Sequence, residues 1–185
     1  MSLIHKDISH DTQEYYRIDK PGDFIYVMKN RSGTITFEIT HENASVRIFG
    51  IYEGKVGEKF SLTTKQIHST PNASSHLVVK SVLWDNAQLE HNGSIIIEKG
   101  CDKSGAVFES RHLLMGEKSQ AMAKPQLEIL AEDVSCSHAV ATSPPNELLL
   151  HYLLSRGISF SKGKKLIAKG FLTIPSLKNY ILKNS

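Results

Sequence analysis

An all-β body followed by a small α-helical subdomain is the fold class that this 185-residue sequence predicts, on three observations. From Phe24 to about Thr142, strand-sized β-branched runs alternate with turn residues, and no helical period of useful length interrupts them. Pro144-Pro145 then stops the extended pattern, with Asn146 placed to cap a helix beyond it. Within the body, Asn92-Gly93 is the one tight hairpin signal, while small residues recur at corners as Asn43-Ala44, Asn72-Ala73 and Asn86-Ala87, spaced by 29 and 14 residues. Corners of that kind suit a stacked parallel β-helix, in which each turn of chain lies on the last. On the echo alone a sandwich stands level with it; the scarcity of hairpin signals favours the β-helix over residues 24–142.

Taken in order, residues 1–22 are polar and expected to be irregular or frayed. Strands are expected at Phe24–Met28, Thr34–Ile39, Ser45–Ile51, Leu77–Leu83, Ser94–Ile97, Val107–Phe108 and Gln126–Leu130, each a short β-branched or alternating run. Asn30-Arg31-Ser32-Gly33, Asp85-Asn86, Asn92-Gly93, Lys99-Gly100, Ser104-Gly105 and Gly116-Glu117 separate them as turn formers. Residues 23–143 are thus the expected β-helix core and 144–185 the helical subdomain. Its first helix, residues 147–156, leaves only Glu147, His151 and Ser155 on a narrow polar stripe, and Gly157 ends it. So wide an apolar sector must be covered on more than one side. A second helix over 160–172 and a third over 176–183 carry lysines opposite Phe160, Leu166, Ile167, Phe171, Leu177 and Ile181.

Composition narrows the classes of function. With 40% hydrophobic and 22% charged residues the chain is ordinary globular protein, which excludes disorder and collagen-like repeats. The longest apolar run, Leu148 to Leu154 with His151 inside it, is far below the roughly 18 residues of a membrane helix. The opening residues lack the apolar core of a signal peptide, so a cytoplasmic chain with reduced Cys101 and Cys136 is expected. The net charge of +3 is too small to imply nucleic acid, yet it is uneven. After Glu147 no acid occurs and seven bases do, so the tail's +7 leaves −4 for residues 1–147.

No glycine-rich phosphate loop, nucleophile elbow, metal-binding helix or Cys-x-x-Cys pair is present, so enzyme signatures are missing. The one dense cluster is Glu132-Asp133-Val134-Ser135-Cys136-Ser137-His138. If it is extended, alternation puts Cys136 and His138 on one face, where thiolate and imidazole suit iron or zinc; two ligands do not close a site. The competing reading is a packed thiol beside a hydrogen-bonded histidine. His91 and His112 read most simply as turn or surface residues, and Cys101 as a small buried corner side chain. Glu128, Glu132 and Asp133 are not spaced as the acid/base pair of a β-helix carbohydrate-active enzyme would require. The lysine-rich tail is a solvated helix face or a docking surface for an acidic partner.

Several segments together resemble the SufB/SufD family, which builds iron–sulfur clusters: Ala123-Lys124-Pro125-Gln126-Leu127-Glu128-Ile129, the Glu132 to His138 run, and Leu150-His151-Tyr152-Leu153-Leu154-Ser155-Arg156-Gly157-Ile158. Upstream, His68-Ser69-Thr70-Pro71-Asn72-Ala73-Ser74-Ser75 and Gly93-Ser94-Ile95-Ile96-Ile97 are similar to its core strands, so the resemblance covers roughly residues 64–172. The Asp-Val-x-Cys-Ser-His run is SufD-like, and Ser110 stands where SufB proteins place a scaffold cysteine. Ala139 replaces the family's glycine and His151 an expected aromatic residue. The resemblance implies a shortened SufD-like chain folded as a right-handed parallel β-helix with a C-terminal helical subdomain. It further implies a non-catalytic subunit that pairs with a SufB-type partner or a second copy, and docks on a SufC-type ATPase without binding nucleotide itself. Membrane and nucleic acid are not expected partners. Cys136 and His138 would hold iron or a transient iron–sulfur cluster together with the partner subunit, and Leu149, Tyr152, Arg156, Lys164, Lys165 and Phe171 would contact partners. A homodimeric scaffold without a metal role is the alternative.

Overall fold

The computed structural model describes residues 3–174, within which eleven strands and two helices follow one another. The odd-numbered strands β1 (Leu3–Asp7), β3 (Gly22–Lys29), β5 (Ala44–Gly54), β7 (Ser74–Leu83), β9 (Gly105–Leu114) and β11 (Ser135–Ser143) form sheet A in that order. The even-numbered strands β2 (Tyr15–Ile18), β4 (Gly33–Ile39), β6 (Lys59–His68), β8 (Gln88–Ile97) and β10 (Gln120–Ile129) form sheet B. Neighbours in both sheets pair in parallel. The chain therefore crosses from sheet to sheet at each corner and returns about 4.8 Å further along, a parallel β-solenoid with its core between the sheets. The stacked alternative is the one realised, not the sandwich.

The corner echo has a backbone cause. Asn30, Asn43, Asn72 and Asn86 all sit at positive φ, between 50° and 60°, a region that asparagine tolerates better than most side chains. Ala44, Ala73 and Ala87 follow three of them and are buried, since the corner leaves room for little more than a methyl group. Successive turns stack there: the Asn43 amide donates to the Asn72 carbonyl, and the Asn72 amide to that of Asp102. The 29-residue spacing is thus one full turn, and Asn86, 14 residues on, marks the opposite corner.

Three expectations need correction. The segment 1–22 is not irregular throughout, because β1 and β2 lie in it; Ile8, Tyr16 and Ile18 are buried against the first full turn, which supplies the apolar surface the segment lacks. β6 is a strand that the sequence pattern does not predict, since its inward positions include Thr64, Gln66 and His68, which hide its alternation. Asn92-Gly93 is not a turn: β8 runs straight through it. Gly93 is needed there for space, because a Cβ would stand 1.9 Å from Cε2 of Phe108.

After β11, α1 (Glu147–Ser155) begins at Asn146, whose Oδ1 accepts the Leu149 amide at 2.9 Å, and Gly157 ends it at φ 78°. α2 (Phe160–Leu172) lies on the outer face of sheet A, with Ile167, Ala168, Phe171 and Leu172 against Val82, Trp84, Leu113 and Met115. Two ammonium groups fasten it. Lys164 donates to the Met115 carbonyl at 2.9 Å, and Lys80 to the Phe171 and Thr173 carbonyls at 3.0 Å each, where the helix leaves acceptors unpaired. α1 packs on α2 through Leu150, close to Gly163. The expected third helix, 176–183, lies outside the described residues. Among the described residues no helix is long and apolar enough to cross a membrane.

Candidate functional site

β10 and β11 are the last strands of their sheets, so each offers one row of unpaired backbone groups and the core beneath them is only partly covered. Leu127, Ile129, Leu130 and Val140 are exposed by 38–58% at this free end. Cys136 is half-buried and packs against the core; His138, two residues on along β11, is exposed. In register they stack above Ala106 and Phe108 of β9, both wholly buried, so the alternation expected for the pair is the one observed. Burial pushes the Cys136 thiol above its ordinary pKa, partly offset by the Ala106 backbone. A thiol held protonated is a poor ligand until a metal or a neighbouring charge displaces the proton. Among the described residues no three His, Cys, Asp or Glu side chains converge as a closed metal site, so β11 supplies at most part of a ligand set.

Ser110, His91 and His112 are not at the surface. All three are within 1% of full burial in the solenoid interior, and with Thr64 and Ser81 they form one chain. Thr64 Oγ1 lies 3.0 Å from His91 Nε2, His91 Nδ1 3.0 Å from Ser110 Oγ, Ser110 Oγ 3.0 Å from His112 Nε2, and His112 Nδ1 2.8 Å from Ser81 Oγ. Burial holds the His91 pKa down at about 3, with the neighbouring His112 adding to the effect, and that of His112 at about 4. Both imidazoles are neutral at neutral pH. The signal that would have found His91 is the alternation Leu89, His91, Gly93, Ile95, Ile97, which the dipeptide Asn92-Gly93 concealed.

The six residues expected to contact partners divide into two groups. Leu149 and Tyr152 project from α1 beside Leu148, which is 82% exposed; Arg156 lies over the Tyr152 ring at 5.4 Å, and Lys165 is exposed on α2. Lys164 and Phe171, by contrast, are engaged with the chain's own sheet A, Lys164 through the Met115 carbonyl and Phe171 by packing, with the Lys80 ammonium 5.7 Å from its ring. The lysine pattern alone gives no sign of their role in holding α2. Cys101 is buried at a corner, as expected of a small side chain there.

Residues 28–171 match the family model described as SUF system FeS cluster assembly, SufBD core domain. The iron-sulfur cluster assembly protein SufD of Bacillus subtilis is 34% identical over 119 residues, 64% of this chain and 27% of that protein. SufD of Escherichia coli is 28% identical over 145 residues, 78% of this chain and 34% of that protein. SufB of Bacillus subtilis is 31% identical over 116 residues, 63% of this chain and 25% of that protein. The chain therefore spans about a quarter to a third of the length of these curated relatives.

Proposed function

Since the chain belongs to the SufBD core family of the SUF iron–sulfur cluster assembly system, we propose that it is a non-catalytic subunit of such an assembly, pairing through the free end of its solenoid with a SufB-type partner or a second copy. The observation that carries this reading is the free outer edge of β11, a strand that presents a half-buried thiol and an exposed imidazole on one face beside exposed apolar side chains. A partner strand would cover that face and complete the ligand set. Iron or a nascent cluster is then cargo at the interface, held by Cys136, His138 and the partner. The outer side of α1, with Leu149, Tyr152 and Arg156, and the exposed Lys165 of α2 form the surface for a SufC-type ATPase; nucleotide belongs to that subunit. A cytoplasmic setting accords with free thiols.

The test is the iron and sulfide content of the purified complex. His138→Ala lowers it while the variant still folds and pairs, and Cys136→Ser lowers it less if the thiol chiefly packs. Full loading in the double variant overturns the metal role. Leu149→Asp weakens ATPase binding, and reversing the charge of Lys165 weakens it mainly at low salt. Reversal of Lys164 weakens it as well, with loosening of α2 as a second route. A second reading, a homodimeric scaffold that handles no metal, is favoured by Ser110: the position where SufB proteins carry a thiol is here a hydroxyl locked into a closed hydrogen-bond chain. Homodimers without iron in the native cell would select it.

A further inference from the structure

The chain Thr64, His91, Ser110, His112, Ser81 crosses the interior from sheet B to sheet A, linking β6 and β8 on one side with β9 and β7 on the other. A neutral imidazole has one donor and one acceptor, and a hydroxyl has one proton, so the Ser110 proton finds an acceptor within the chain only when the bonds run head to tail. Either the Thr64 hydroxyl donates to His91 Nε2 and each bond continues in the same sense to Ser81, or all four are reversed. With both imidazoles neutral the chain is closed and carries no charge. One added proton puts a cation in the interior. A second leaves the Ser110 hydroxyl proton without an acceptor, since both imidazoles then donate to its oxygen.

Among the described residues nothing that faces the chain can compensate that charge. The other titratable side chains on the inward columns around it are Tyr52 of β5, His68 of β6, and Cys136 and His138 of β11. The inward positions of β7 and β10, and the remaining ones of β8 and β9, are apolar or uncharged. Glu90 and Glu109, the nearest carboxylates along β8 and β9, face outward and pair with Lys124, and with His76 and Arg111. His68, bonded to Ser75 at 2.8 Å, titrates in the same direction, its pKa held down to about 4 by burial.

We propose that this buried chain is an acid-sensitive latch between the two sheets, whose protonation opens the last turns of the solenoid, β8 to β11, while the apolar first turns stay closed. The proposal holds whether or not Cys136 and His138 take metal, but it places a proton-controlled latch in the turns on which their strand is stacked, with Ser110 and His112 beneath Val140 and Thr142.

In the folded state these histidines bind fewer protons than in the open state, so the closed form is favoured fully above the ordinary histidine pKa of about 6.5 and loses ground as pH falls below it. Each histidine released raises the opening constant by about tenfold per pH unit between about 6.5 and the folded value. Amide-resolved hydrogen exchange on the full chain, corrected for intrinsic rates, between about pH 7.5 and about pH 5 reads this directly. The expected result is an opening constant for β8–β11 that climbs below about pH 6.5 and exceeds that of β3–β5. One opening constant and one slope shared by all strands, or no pH dependence in β8–β11, overturns the proposal. Replacing both His91 and His112 by Asn flattens the slope. If that variant does not fold, Ser81→Ala, which keeps both imidazoles, must raise opening at neutral pH and retain the slope; a slope lost in Ser81→Ala also overturns the proposal.

Discussion

The first and last turns of the solenoid share one backbone and fill it with different chemistry. In the first, Tyr16, Tyr26 and Phe37 meet with ring centroids 5.1–5.3 Å apart, surrounded by Met28, Ile35, Ile39 and Ile48, all nearly inaccessible. The buried polar exception is Arg31, which closes that end by donating to the Ile8 and Gln13 carbonyls and the Tyr16 hydroxyl. In the later turns the same inward columns carry Thr64, Gln66, His68, Ser75, Ser81, His91, Ser110 and His112. Apolar packing is non-directional and accepts small shifts, whereas a hydrogen-bond chain is satisfied in one register and leaves orphans in any other. Among the described residues two such orphans already exist, Gln66 Oε1 and His68 Nδ1. Directional hydrogen bonding inside the core is thus concentrated in the later turns, next to the face proposed to meet a partner.

Substitutions that break this contrast rank by size. Phe37→Ala, which empties the centre of the aromatic cluster, destabilises by about 3–5 kcal/mol in denaturant unfolding. Gly93→Ala forces the Phe108 ring aside and costs about 1–3 kcal/mol; adding Phe108→Leu recovers part of it, whereas a glycine required only for backbone freedom would show no such recovery. Ser110→Ala strands nitrogens of both His91 and His112 and costs about 1–3 kcal/mol, seen first as faster exchange in β8 and β9. His68→Leu removes a histidine whose folded pKa lies near 4, so the variant gains on the parent as pH falls; by pH 5 the differential gain reaches about 2 kcal/mol. Leu148→Ser, on the exposed side of α1, changes stability by less than about 0.5 kcal/mol, while Phe37→Ala on the buried cluster must not.

The same contrast explains what the sequence made legible. Strands whose inward residues are apolar, β3, β4 and β5, stand out by composition, as does β7, where Leu77, Val79 and Leu83 outnumber the inward Ser75 and Ser81, and the repeated Asn-Ala corners read through because a positive φ restricts residue choice. β6, the first half of β8 and most of β9 do not, since Thr64, Gln66, His91, Ser110 and His112 place polar atoms where alternation calls for apolar ones. Several of their partners are distant along the chain, 19 residues for His91 with Ser110 and 31 for Ser81 with His112, and only the fold brings those together. Cys136 and His138 could be placed on one face from local alternation alone. That β11 is an edge, which makes the pair interesting, is a property of the whole stack.

The Asn43, Asn72 and Asp102 corner, where the Asn43 and Asn72 amides each donate to the carbonyl one turn further on, also limits how such a chain can change length. Deleting one residue inside a strand would turn every later side chain of that strand to the opposite face, exposing the core columns and burying the charged ones. Deleting a complete turn, corner to equivalent corner, would merely bring two similar surfaces together and close the stack again. Relatives of this solenoid are therefore expected to differ in body length by whole turns, and a chain engineered shorter or longer by one 29-residue corner repeat should keep its remaining columns in register.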